Sequence, residues 1–62
     1  MHKANEVQDS LWMIRQDTET KQCFLYYCGQ CVSQVAKDRL LQFDELRSLL
    51  IQMRNEVRSE EE

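Results

Sequence analysis

Leu11-Trp12-Met13-Ile14-Arg15-Gln16-Asp17-Thr18-Glu19-Thr20-Lys21-Gln22-Cys23-Phe24-Leu25-Tyr26-Tyr27-Cys28 is the stretch on which the fold class turns. It holds the only tryptophan, both tyrosines, one phenylalanine and two of the three cysteines. Its two ends, Leu11 to Ile14 and Cys23 to Cys28, are rich in aromatic and other strand-favouring residues, and the polar run from Gln16 to Gln22 between them suits a hairpin loop. That loop has neither a glycine nor the Asn-Gly pair that marks tight hairpins. A helical reading competes, because Val7, Leu11 and Ile14 keep helical spacing, as do Leu25, Cys28, Val32 and Val35. A helix over 23–28 would be apolar all round, which only a buried helix tolerates. The balance favours a β-hairpin over about 11–28, apolar on both faces. The alternative is an all-α helical hairpin or three-helix bundle.

Downstream the pattern is simpler. Val32, Ala36, Leu40, Phe43, Leu46, Leu50, Met53 and Val57 are separated by steps of three or four, which puts them on one stripe of a helix. Asp38, Gln42, Glu45, Gln52 and Glu56 take the opposite side. Leu41, Leu49 and Ile51 widen the stripe beyond a coiled-coil seam. The spacing predicts a long amphipathic helix over about 31–58, so the whole reads as an α-rich small domain. From Cys31 to Val57 that helix would run about 40 Å. A compact globule of this chain length is only roughly 27 Å across. The helix therefore either breaks, with Asp44 as an N-cap after Phe43, or overhangs onto a second chain.

The sequence is one domain, 1–62, with a frayed polar start over 1–10 and an acidic tail over 59–62. A chain this short buries only about 60% of its unfolded surface, which leaves a lone monomer marginal and gives no walls for a catalytic pocket. No enzyme is expected. With 42% apolar and 31% charged residues it is a folded, not a disordered, sequence. No apolar run reaches the roughly 18 residues that span a bilayer, and no signal-peptide core opens the chain. Three cysteines cannot close into pairs within one chain, which points to a reducing, intracellular and cytoplasmic setting. The net charge of −3 equals the last three glutamates, so a nucleic-acid partner is not expected.

Three constellations carry candidate chemistry. Cys28-Gly29-Gln30-Cys31 is a C-x-x-C that follows a candidate strand and precedes the candidate helix. In those two cysteines it resembles the active-site corner of thioredoxin-like oxidoreductases. That resemblance implies a nucleophilic thiolate at a helix N-terminus and a resolving thiol. The family's proline opposite the motif has no counterpart, since the chain has no proline. Cys23, Cys28 and Cys31 also read C-x4-C-x2-C, three thiols that would need a fourth ligand for tetrahedral zinc. His2 is the only histidine, and a second ligand pair is missing. The same spacing is similar to that of plant-type ferredoxins, which need a fourth, distant cysteine. The plainer reading is unligated thiols, with no metal and no cofactor.

The third constellation is a helix-turn-helix. Val35-Ala36, Leu41, Leu46 and Leu49 follow its apolar spacing, and Arg47, Arg54 and Asn55 would face DNA. Leu40 stands where its turn glycine belongs, and Asp44 and Glu45 lie where phosphates would approach. The function these features imply is a small adaptor or regulator that is not an enzyme. It would form a homodimer, or bind a helical protein partner, through Leu40, Phe43, Leu46, Leu50, Met53 and Val57. Trp12 and Phe24 would cover that stripe. A helix-turn-helix regulator and a cysteine-based zinc or thiol-redox protein are the alternatives.

Overall fold

The computed structural model describes residues 4–60. Four strands, β1 (Ala4–Asp9), β2 (Trp12–Asp17), β3 (Cys23–Tyr27) and β4 (Gln30–Val35), precede one helix, α1 (Phe43–Glu60). The strands make a single antiparallel sheet in the order of the chain, β1-β2-β3-β4. The protein is thus sheet-rich, not α-rich, and both all-α alternatives are overturned.

The hairpin expected over 11–28 is present as β2 and β3, and it forms without glycine for a local reason. Asp17 Oδ1 accepts the backbone N–H groups of Glu19 (2.7 Å) and Thr20 (3.1 Å), an aspartate turn built by the side chain. Lys21 takes the left-handed conformation, φ 66°, where a glycine would be conventional. The other two hairpins close on two residues each. Ser10-Leu11 joins β1 to β2 with φ 58° at Ser10, and Cys28-Gly29 joins β3 to β4 with φ 51° and 82°. Positive φ at both central residues, as in Cys28-Gly29, is the type I′ signature, and positive φ at the first alone, as at Ser10, is that of type II′; the twist of both matches that of paired strands.

One face of the sheet packs against α1. Val7, Ile14, Cys23 and Leu25 from the strands meet Leu46, Leu49, Leu50 and Met53 from the helix, with Trp12, Val35, Leu41 and Val57 packed around them. Strand alternation accounts for the choice: Ile14 and Gln16 are buried while Arg15 between them is exposed. Register carries Met13, Arg15, Phe24, Tyr26, Cys31 and Gln34 to the opposite face, which no helix covers among the described residues.

The long helix needs correction at its start. Residues 30–35 are strand, and α1 begins at Phe43. A β-bulge explains the mistaken period: Leu25 pairs with Ser33 but Tyr26 pairs with Cys31, leaving Val32 as the extra residue. Val32 and Val35, three apart, therefore both sit on the α1 side and imitate helical spacing. The N-cap is Gln42 and not Asp44. Glu45, in the first turn, accepts the Gln42 backbone N–H at 3.0 Å, one half of a capping box, and the first helical bond runs from Leu46 N–H to the Gln42 carbonyl at 2.8 Å. The helix is then about 27 Å long, against a domain of 37 × 20 × 18 Å, so the overhang disappears.

The expected fraying of 1–10 fails from Ala4 to Asp9, because β1 needs only Val7 as its anchor beneath α1. Ser59 and Glu60, placed in the acidic tail, extend α1; His2 and the last two glutamates lie outside the described residues. No helix among the described residues is long and apolar enough to cross a membrane.

Candidate association surface

The surface begins with a buried glutamine. Gln16 is fully buried beneath the segment that links β4 to α1. Its amide nitrogen donates to the carbonyls of Lys21 (3.0 Å) and Arg39 (2.9 Å), and its Oε1 accepts the N–H of Leu41 at 2.8 Å. Arg39 then grips Glu45 through two bonds, 3.1 and 2.5 Å. These bonds hold the Glu45 carboxyl well below its ordinary value, down to about 2, with the Gln42 N–H adding to the effect. Pinned from both sides, the linker has little freedom. It holds Leu40 and Phe43 outward, 43% and 64% exposed.

Beside Phe43 runs a groove of 530 Å³, lined by Ala4 to Val7, Leu41, Gln42, Phe43 and Leu46. Its floor is the free edge of β1, which has no strand partner on that side among the described residues. The two-residue turn closes on Asp9 and Trp12 as a hydrogen-bonded pair, so alternation aims the backbone groups of Ala4, Glu6 and Gln8 away from β2. A strand edge without a partner among the described residues and a groove of mixed polar and apolar lining thus lie side by side. The other sheet edge, β4, carries the bulge at Val32, which interrupts continuous pairing.

The predicted interface residues are divided by the fold. Leu46, Leu50 and Met53 are buried in the domain's own core, and Trp12 and Val57 pack half-buried against it. Trp12 also lies on Tyr27, ring centroids 4.5 Å apart and planes tilted by 44°. Phe24 points to the uncovered face and does not cover the stripe. Of these interface residues only Leu40 and Phe43 are exposed. The β1 edge was missed. Its one visible signal was Asp9-Ser10, turn-forming residues between Val7 and Trp12.

The cysteines are separated in the same way. Cys23 is buried on the α1 side, Cys31 lies on the opposite face, and Cys28 occupies the exposed β3–β4 turn. Burial pushes the Cys23 thiol up from its ordinary value, an effect partly offset by the Lys37 charge. Among the described residues no group of three His, Cys, Asp or Glu side chains is placed to hold a metal ion. The C-x-x-C spans a hairpin turn, so no helix dipole acts on Cys28 and the physical basis of the thioredoxin-like reading is missing. The helix-turn-helix fails for want of its first helix, since 30–35 is strand. Of its arginines, Arg54 is half-buried and bound to Asp9 at 3.2 Å. Comparison of the chain with protein-family models, with curated proteins and with solved structures finds no match.

Proposed function

We propose that this chain is a non-enzymatic module that associates with itself through the β1 edge and the adjoining Phe43 groove. The observation that carries the reading is Phe43, held 64% exposed at the rim of a groove of mixed polar and apolar lining by a linker tied down on both sides. A phenylalanine can bury on the order of 150 Å² or more, and aromatic anchors next to a pocket are the usual centre of a binding energy. A small core favours the same outcome, because association adds buried surface that a chain of this length lacks. A reducing, intracellular setting suits the exposed thiols of Cys28 and Cys31.

Sedimentation velocity from low to high micromolar concentration tests the proposal. The expected result is a dimer that dissociates on dilution, with Phe43→Ser monomeric at concentrations where the parent is dimeric and its circular dichroism unchanged. A parent that sediments as a 7.5 kDa monomer throughout overturns it.

A further inference from the structure

We infer that the occupant of the β1 edge is β1 of a second copy, running antiparallel with Val7 opposite Val7. The inference rests on the self-association reading and adds its geometry. The choice of edge follows from the sheet: β1 pairs with β2 without interruption over all six residues, whereas β4 is kinked by its bulge.

The register follows from charge and overlap. The backbone groups free to pair belong to Ala4, Glu6 and Gln8, so a second antiparallel strand must bond through these. Centring the two strands on Glu6 sets that carboxylate directly opposite its own copy, and like charges directly opposite are destabilising. Centring on Gln8 runs each strand into the partner's turn at Ser10 and shortens the overlap. Centring on Val7 pairs Glu6 with Gln8 twice and Asn5 with Asp9 twice. The whole of Asn5 to Asp9 is then matched, and no two like charges meet. The two Val7 side chains fall at a non-hydrogen-bonded pair, where side chains approach closest, beside grooves lined by Val7, Phe43 and Leu46.

The two-fold axis also brings the Phe43 end of each groove beside the turn end of the second copy. There Leu11 is 58% exposed. The product is one continuous sheet with four strands from each copy and both helices on the same side.

The test uses Gln8, an exposed residue whose substitution leaves the monomer's core untouched. In this register Gln8→Lys sets an ammonium opposite Glu6 at two symmetric places, and Gln8→Glu sets a carboxylate there. Dissociation constants from sedimentation equilibrium should fall for the first and rise for the second, each by about 2- to 30-fold for two cross-strand pairs. Gln52→Lys and Gln52→Glu, exposed on α1, make the same changes in net charge away from the edge and should move the constant less. A dimer that persists with Gln8 variants no different from their Gln52 counterparts overturns the β1 pairing and leaves self-association standing. A parent that is monomeric throughout overturns both.

Discussion

Gln16→Leu removes the one buried polar side chain among the described residues while keeping its approximate volume, so it measures hydrogen bonding and not a cavity. The substitution strands the Lys21 and Arg39 carbonyls and the Leu41 N–H, which bond to Gln16 at 3.0, 2.9 and 2.8 Å. Each such bond contributes about 0.5 to 1.5 kcal/mol net, which gives roughly 1.5 to 4.5 kcal/mol for the set. A domain of this size has only about 3 to 5 kcal/mol to lose. Most of the stability should therefore go. Gln16→Glu keeps the shape and the acceptor for Leu41 but turns a carboxylate toward two carbonyls. Burial raises that carboxyl's pKa in the folded state. Its folded form is therefore favoured below the unfolded value, and stability falls as pH rises to neutral. Urea unfolding followed by Trp12 fluorescence gives the midpoints, and amide exchange reads the Leu41 N–H directly. If Gln16→Leu unfolds at the parent's midpoint and the Leu41 amide stays protected, the glutamine is not what fixes the linker.

Three further outcomes follow from the same structure. Leu50 is fully buried against the sheet and Gln52 is exposed, so Leu50→Ala should cost about 2 to 5 kcal/mol in urea unfolding. Gln52→Ala should stay within about 0.5 kcal/mol of the parent, and equal shifts for the two would mean that the phase of α1 is wrong. A thiol reagent at neutral pH should modify Cys28 and Cys31 quickly and Cys23 only on unfolding, because Cys23 is buried and its thiol pKa is raised; rapid modification of all three would contradict its place in the core. The Glu45 carboxyl is lowered from 4.5 to about 2 in the fold, so its contribution is complete above the unfolded value and is lost as pH falls through the folded one. The gap in urea midpoint between the parent and Glu45→Gln should therefore be open at neutral pH and close in strong acid. A gap that persists unchanged there would separate Glu45 from the acid response.

What could be read from the sequence depended on how many residues each element needed to reveal its period. The hairpin of β2 and β3 showed itself through two aromatic runs and a polar gap. The helical phase from Leu46 to Val57 was legible because about three turns repeat one apolar spacing, Leu46, Leu50, Met53 and Val57. β4 was hidden by its bulge, which sets Val32 and Val35 on one side and counterfeits a helix. β1 was hidden by economy, since an edge strand under one helix needs a single apolar anchor and Val7 is all it has. Of the residues expected on the stripe, Leu40 and Phe43 are exposed, and for a reason other than the one that put them there. Their helical spacing placed them on the stripe, but they are exposed because the helix starts only at Phe43 and the Gln16 bonds hold the linker away from it.

The order of the sheet has a consequence in time. Every strand pairs with the one made just before it, so each hairpin can close as soon as its second strand is present, and sequence-local contacts of this kind favour rapid folding. α1 follows all four strands in the chain. During synthesis the apolar side of the finished meander, with Ile14, Cys23 and Leu25, therefore stands bare until the helix has left the ribosome. The interval lasts for the eighteen residues of α1 and the linker before it. A strand edge and an apolar sheet face are then open together, and a neighbouring chain can reach both. Any delay between the emergence of β4 and that of α1 lengthens that exposure, whereas a delay before β4 emerges does not, because the sheet that would be exposed is still incomplete.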